Sequence, residues 1–374
     1  MTRKQRHEEL NIALPDDVLQ SKAARFNLHT LKRLKAALEI DPTVDLTTKF
    51  PSDYSNRLSE MQSSSQLPAT SLASQTTPSN DPLPEDDIRV FLQLSDPVGV
   101  VFPLSESLRK LLPDDTSTRM SRAMVRLMQR SEGIWESPFS RKRMVYRCDT
   151  NMAVKAIKNA EDYTEYTTLQ YLETHKPTVP APRPLGLLCM NGVSLIFMTY
   201  ISAPTLSKIW SQLDFAQKAS IRDQLEGILT DLRSLACPEG TPFGGVAGEG
   251  CKDARRHPRR HDKPILPANA FENFLRSDRH FGSDIYAEVL RRLSPLHQLS
   301  PPTSVRCVFT HGDLRPDNIT VEITDGGRCR ITSLLDWEYS GFYSEYYESV
   351  KITNCLKHFA LLHDPNRIPS TYTS

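Results

Sequence analysis

The segment His311-Gly312-Asp313-Leu314-Arg315-Pro316-Asp317-Asn318, followed eighteen residues later by Asp336, constrains this chain more than any other feature. Asp313 and Asn318 stand five apart, and Asp336 follows the apolar run Ile331-Thr332-Ser333-Leu334-Leu335. Val308-Phe309-Thr310 precedes the polar loop and Ile319-Thr320-Val321 follows it, and both read as strands. Phosphoryl transfer asks a protein for a carboxylate that orients an acceptor hydroxyl and takes its proton, and for oxygen ligands that hold Mg²⁺. The spacing supplies both: Asp313 as the base, Asn318 and Asp336 as metal ligands. A polar loop rich in turn-formers is the plain alternative, which a lone His-Gly-Asp would deserve and the full spacing argues against. No G-x-S-x-G accompanies the loop, so a serine hydrolase is not indicated.

Thr310 to Asn318, together with Leu335-Asp336-Trp337-Glu338-Tyr339-Ser340-Gly341, resembles the aminoglycoside phosphotransferase and choline kinase-like family, especially its fungal members. The resemblance runs from about Gly133 to Cys355. It implies an α+β, bilobal protein-kinase-like fold with a small antiparallel-sheet N-lobe and a mostly helical C-lobe. It also implies ATP and Mg²⁺ as cofactors, and transfer of the γ-phosphate to a hydroxyl of a small molecule. His-Gly-Asp in place of His-Arg-Asp favours a small-molecule kinase over a protein kinase, as does the lack of an A-P-E segment after Asp336. A catalytically impaired nucleotide-binding pseudoenzyme is the main alternative.

Met144-Val145-Tyr146-Arg147 and Met152-Ala153-Val154-Lys155-Ala156-Ile157 read as strands joined at Asp149-Thr150-Asn151. Alternation puts Ala153, Lys155 and Ile157 on one face. A small residue two before a lysine resembles the V-A-I-K strand, in which the alanine roofs the adenine and the lysine contacts the α- and β-phosphates. Taken alone, Lys155 could equally be a solvated lysine; its place ahead of the catalytic loop favours the functional role. A helix from about Asp162 to Thr174 stops before Pro177 and carries Glu165 on the side of Leu169 and Leu172. Glu165 is the expected partner of Lys155, with Glu161 the alternative. The apolar run Leu195 to Ile201 corresponds to the family's hinge, where Met198 and Tyr200 would read the adenine edge. Arg315, two residues after the base, can neutralise γ-phosphate charge with its fixed fork of donors.

The domain plan is a helical N-terminal extension over 1–58, a Ser/Thr/Pro/Gln-rich linker expected to be disordered over 59–86, and a helical lead-in over 87–132. An N-lobe over 133–203 and a C-lobe over 204–374 follow. Helices are expected over 16–40, with Val18, Leu19, Ala23, Phe26, Leu31, Leu34 and Leu38 inward, and over 117–130, with Met120, Met124, Leu127 and Met128 inward. Asp214 to Gln217 is a capping box ahead of an apolar face from Ile221 to Leu235. The chain ends soon after Asp336, with residues 344–362 supplying one helix, so the C-lobe is expected to be truncated. Cys237, Cys251, His257 and His261 invite a zinc site, but the cysteines are too far apart in sequence for one. The five glycines between Cys237 and Lys252 lack the G-K-[ST] of a P-loop.

A net charge of +1 argues against a nucleic-acid partner. The first residues are not a secretory signal, and no apolar run is long enough for a membrane span. Seven scattered cysteines suit a reducing cytosol, so a cytoplasmic location is expected. The N-terminal extension suggests a docking segment for a protein partner that the sequence does not name.

Overall fold

The computed structural model describes residues 22–51, 54–63, 87–112, 117–137, 142–159, 162–237, 240–253, 259–266, 270–271, 274–275, 306–324 and 326–354. The chain divides into two compact units, one of residues 1–91 and 133–144, the other of residues 92–132 and 145–374.

In the first unit, helix α1 (Lys22–Ile40) buries Ala23, Phe26 and Leu34. Helix α2 (Tyr54–Ser63) packs on it: the rings of Phe26 and Tyr54 stack with centroids 5.5 Å apart, and the Arg57 guanidinium lies 5.3 Å over Phe26. Leu31 and Leu38, expected inward, are exposed, while Ala23, Phe26, Thr30 and Leu34 form the buried face of the helix. Residues 16–21 lie outside the described residues. The linker composition begins at residue 59, yet α2 continues to Ser63, while residues 64–86 again lie outside the described residues.

The second unit opens with β1 (Val98–Phe102), α3 (Glu106–Leu111) and α4 (Ser117–Arg130). Met120, Met124, Leu127 and Met128 of α4 are all buried, as their helical spacing predicts. The chain continues through β2 (Glu132–Glu136), β3 (Arg143–Asp149), β4 (Met152–Lys158), α5 (Thr164–His175), β5 (Pro184–Met190) and β6 (Val193–Thr199). Within this unit the strands run in the order β1-β5-β6-β4-β3, and β1–β5, β5–β6 and β6–β4 pair antiparallel. Strand β1 corrects the expected lead-in: Val98-Gly99-Val100-Val101-Phe102 is β-branched and aromatic, and it forms a sheet edge against β5 rather than a helix. Ala153 faces Met198 across the β4–β6 register, and both join Ile157, Tyr166, Leu187 and Ile196 in one core.

The larger lobe follows, with α6 (Leu206–Ile209), α7 (Phe215–Arg233) and the short strands β7 (Lys252–Asp253) and β8 (Arg259–Arg260). Strands β9 (Cys307–Thr310), β10 (Ile319–Ile323), β11 (Cys329–Leu334) and β12 (Gly341–Ser344) and helix α8 (Tyr347–Asn354) complete it. Asp214 accepts from the Gln217 N–H at 2.8 Å while the Gln217 side chain accepts from the Asp214 N–H at 2.9 Å, so α7 starts with the capping box its sequence announces. Ile221 and Leu232 of α7 share a core with Leu169 and Leu172 of α5 and with Phe309, Leu314, Trp337 and Phe342. Tyr171 of α5 stacks on Phe309 with centroids 6.0 Å apart and meets Phe342 edge-on, also at 6.0 Å. This is an α+β, bilobal protein-kinase-like fold: an antiparallel sheet with α5 beneath it, then a lobe built round α7. Among the described residues no helix is long and apolar enough to cross a membrane. The helix expected over 344–362 is described as far as Asn354, and the rest lies outside the described residues.

Leu172 is fully buried between α5 and the larger lobe, so Leu172→Ala removes packing atoms and leaves a cavity. The expected loss is about 2–5 kcal/mol of unfolding free energy, read by chemical denaturation.

Candidate active site

Strand β9 ends at Thr310 and the chain enters the loop that carries Asp313. Gly312 adopts a φ of 80°, and a Cβ there would collide with the Tyr339 carbonyl, so the middle residue of His-Gly-Asp has to be glycine. Buried Glu348, on α8, accepts from the His311 N–H at 2.7 Å and from the Gly312 N–H at 3.3 Å. The Ser340 hydroxyl donates to the His311 carbonyl at 2.9 Å. The His311 ring is fully buried; its Nε2 lies 3.1 Å from the Leu335 carbonyl and its Nδ1 accepts from the Asp313 N–H at 3.2 Å. Only the neutral ring protonated at Nε2 satisfies both contacts. Burial accordingly pushes the His311 pKa down to about 4, against a smaller opposing effect of Asp336.

Asn318 donates through Nδ2 to the Asp313 carbonyl at 2.9 Å and to Asp313 Oδ2 at 3.0 Å. Arg315 Nε lies 3.4 Å from the same Oδ2, and Arg315 Nη2 lies 3.9 Å from Asp336 Oδ2. Burial raises the Asp313 pKa to about 6; Arg315 opposes the rise and the nearby Asp336 charge adds to it.

Lys155 projects from β4 into a cluster of three carboxylates. Its Nζ lies 2.7 Å from Glu165 Oε2, 2.5 Å from Asp336 Oδ1 and 3.7 Å from Glu338 Oε2. Burial disfavours the ammonium, but Asp336, Glu165 and Glu338 outweigh it and hold its pKa well above the ordinary lysine value. Glu165 feels the converse: burial pushes its carboxyl up to about 7, Lys155 resists, and the other two acids push it further up. Asp336 has φ 67° and ψ 62°, a left-handed conformation that costs a non-glycine residue about 1–3 kcal/mol and is held by its neighbours. Those neighbours are Leu335, whose N–H donates to the Asn318 carbonyl at 2.8 Å, and Trp337, whose Nε1 donates to the Leu334 carbonyl at 2.8 Å.

Lys155, Glu165, Asp336, Asp313, Arg315 and Asn318 are therefore brought together, as their order in the sequence predicts. Glu161 lies outside the described residues. The ligand atoms of Glu165, Asp336 and Glu338 lie within 4.8 Å of one another. An all-oxygen set with more negative than positive charge fits a hard cation such as Mg²⁺. Asn318 engages its amide nitrogen with Asp313, which leaves its amide oxygen as the atom it could offer to a metal. Ala153 and Met198 line the sheet above, while the Tyr200 N–H donates to the Asn151 carbonyl at 3.0 Å and its ring lies under Arg147. A cleft of about 510 Å³ is lined by the hinge residues Tyr200 to Pro204 together with Ile209, Val321 to Ile323 and Thr332. It shares Tyr200 with the predicted set but is not bordered by the Lys155 cluster.

The cysteines depart from expectation. Cys237 and Cys307 form a disulfide because the end of α7 runs beside β9, their Cα atoms 6.0 Å apart. Cys251 is buried with its thiol on the Phe243 carbonyl, and burial pushes its pKa up to about 12. His261 Nδ1 faces the Lys263 carbonyl, and His257 lies outside the described residues. These partners leave no zinc site among the described members of that set. Sequence reasoning also missed Glu338 and Glu348. Glu338 is signalled by its position two residues after Asp336, whereas Glu348 carries no local signal.

Two outcomes follow from this packing. Glu348→Ala leaves two buried N–H groups without their acceptor and is expected to lower stability by about 2–5 kcal/mol in chemical denaturation. Because the folded pKa of His311 lies below its unfolded value, the unfolded chain binds more protons between about pH 6.5 and 4. Stability from this group is present above pH 6.5 and is lost as pH falls through that window, on the order of 3 kcal/mol in all. Unfolding free energies at pH 7 and 5 should therefore differ less in His311→Gln than in the wild type.

The sequence model of the phosphotransferase enzyme family matches residues 159–354, just over half of the chain. No curated protein matches the chain in sequence. Solved structures similar to it include a thermostable mutant of aminoglycoside phosphotransferase APH(4)-Ia in ternary complex with ADP and hygromycin B. That similarity has 13% identity and a TM-score of 0.40, and covers 62% of this chain and 75% of the other. Aminoglycoside phosphotransferase APH(3'')-Id from Streptomyces rimosus is similar at 14% identity and a TM-score of 0.40, covering 67% and 93%. The streptomycin–ATP complex of APH(2")-IIa is similar at 10% identity and a TM-score of 0.39, covering 68% and 80%. The family rests on the sequence match, which spans Glu165, the Asp313 loop, Asp336 and Glu348: this chain belongs to the phosphotransferase enzyme family.

Proposed function

We propose that the protein is an ATP- and Mg²⁺-dependent phosphotransferase that moves the γ-phosphate to a hydroxyl of a small molecule. The observation that carries this reading is the convergence of Asp313, Asn318 and Asp336 beside the Lys155–Glu165 pair. Asp313 orients the acceptor hydroxyl and takes its proton. A carboxyl with a pKa near 6 is mostly ionised at neutral pH yet basic enough for the task. Asn318 and Asp336 would hold Mg²⁺, with Glu338 close enough to assist. Mg²⁺, when bound, would neutralise charge on the nucleotide phosphates. Lys155, kept in place by Glu165, would contact the α- and β-phosphates. Arg315, on the rim between Asp313 and Asp336, steadies the transferred group. Ala153, Met198 and Tyr200 border the adenine; the engaged N–H of Tyr200 leaves the contacts of the adenine edge to its neighbours in the hinge. The cytoplasm is the proposed place of action on the ground of its ATP, not of the cysteines, since the Cys237–Cys307 disulfide is unusual in a reducing compartment.

ADP release is to be followed with ATP and Mg²⁺ across a panel of amino-alcohols, sugars, aminoglycosides and peptides. At least one small-molecule hydroxyl acceptor is expected to stimulate release, and Asp313→Ala is expected to lower that stimulated rate by about 10²–10⁴-fold. Stimulated release that survives Asp313→Ala would refute the assigned base, and stimulation by peptides alone would refute the acceptor class.

A further inference from the structure

We infer that Lys252 is a positioning residue for the Lys155 centre: it clamps the start of α5, which presents Glu165, to the segment after Asp336, which presents Glu338. The inference rests on the phosphotransferase reading above and extends it to a residue outside the reacting groups.

Lys252 is buried, and each of its three ammonium protons has an acceptor. Its Nζ donates to Asp162 Oδ1 at 2.6 Å, to Thr164 Oγ1 at 2.6 Å and to the Glu338 carbonyl at 2.9 Å. Asp162 Oδ1 in turn accepts from the Thr164 N–H at 3.2 Å and the Thr164 hydroxyl at 2.8 Å, an Asx-type turn that leads into α5 just ahead of its N-cap residue Tyr163. Glu165 is the next residue along. One cation thus joins the turn that leads into the helix carrying one Lys155 partner to the backbone of another. Removing it leaves Asp162 with Arg260 at 3.2 Å and takes one donor from the Glu338 carbonyl.

The segment that delivers Lys252 is built as a strap. Glu249 accepts from the Thr167 hydroxyl, one turn further along α5. Gly244 exchanges both backbone hydrogen bonds with Phe342, at 3.0 and 2.9 Å. The Tyr347 hydroxyl donates to the Lys252 carbonyl at 2.8 Å, which ties the strap to α8, the helix that carries Glu348. Two of the glycines that failed as a phosphate cradle are needed for close approach: a Cβ on Gly250 would collide with the His261 carbonyl, and one on Gly244 with the Glu249 carbonyl. A glycine-rich, lysine-tipped strap that touches α5, the Asp336 segment and α8 has the reach to fix their spacing.

The test measures MgATP affinity by isothermal titration, with melting temperature alongside, on the full chain. Wild type, Lys252→Met, Glu165→Gln and the double variant are compared. Lys252→Met is expected to raise Kd about tenfold, but in the Glu165→Gln background by only about threefold, because of the two carboxylates it positions only that of Glu338 then remains. A lower melting temperature with unchanged Kd, or full additivity of the two substitutions, overturns the inference. Should Lys252→Met fail to fold, Asp162→Asn is read in the same way, because its amide oxygen can still accept from Thr164. About threefold weaker binding is then expected, and unchanged binding overturns the inference. Wild type that does not bind MgATP sinks the phosphotransferase reading and the inference with it, an outcome distinct from wild type that binds and Lys252→Met that binds equally well.

Discussion

One buried ammonium, that of Lys155, is held by three carboxylates from two places in the chain, and the relation between sheet, helix and hairpin depends on it. Glu165 reaches it from α5, and Asp336 and Glu338 reach it from the turn after β11. A buried ion pair is costly to form and costlier to break, since loss of one partner strands a charge in a poor solvent. Here the acids outnumber the lysine, so the cluster is under-neutralised by the protein's own side chains. Such a centre resolves its excess by retaining a proton, which raised Glu165 reflects, or by admitting a cation. The same imbalance gives the proposed metal and nucleotide a place where added positive charge is favourable.

The loop that carries Asp313 is governed by the opposite principle, local satisfaction of its backbone groups. His311, neutral and enclosed, ties the Asp313 N–H to the Leu335 carbonyl, and Glu348 gathers the two preceding N–H groups. These bonds tie Asp313 and Asp336, far apart in sequence, into one rigid frame. Phosphoryl transfer draws most of its rate from positioning and fixed electrostatics, which is what such a frame supplies. The left-handed turn at Asp336 belongs to the same economy: local strain accepted so that one carboxylate points toward the lysine.

How much of this could be read from the chain varies with the range of the interaction. Helix α4, the capping box of α7 and the β4 alternation follow from local spacing, and the structure reproduces them closely. The grouping of Lys155, Glu165, Asp313, Asn318 and Asp336 was legible because each sits within a short pattern whose order is informative. Strand β1 was not, since five apolar residues among prolines and charges carry too little periodicity to distinguish a sheet edge from a helical lead-in. Glu348 and Lys252 escaped for a different reason. A lone acid or lysine declares nothing until the fold shows which backbone groups it faces. The Cys237–Cys307 link was invisible too, because pairing over seventy residues depends on the path of the chain and not on the spacing of thiols.

The aromatic contact between Tyr171 and the pair Phe309 and Phe342 has a consequence for control. In kinases whose activity is switched, the helix bearing the lysine's partner swings between alternative seats. In this chain the far end of that helix is wedged between rings belonging to β9 and β12, and moving it would break the contacts that join it to the core of the larger lobe. A helix pinned at that end keeps one seat, and with it one distance between the Glu165 carboxylate and the Lys155 ammonium.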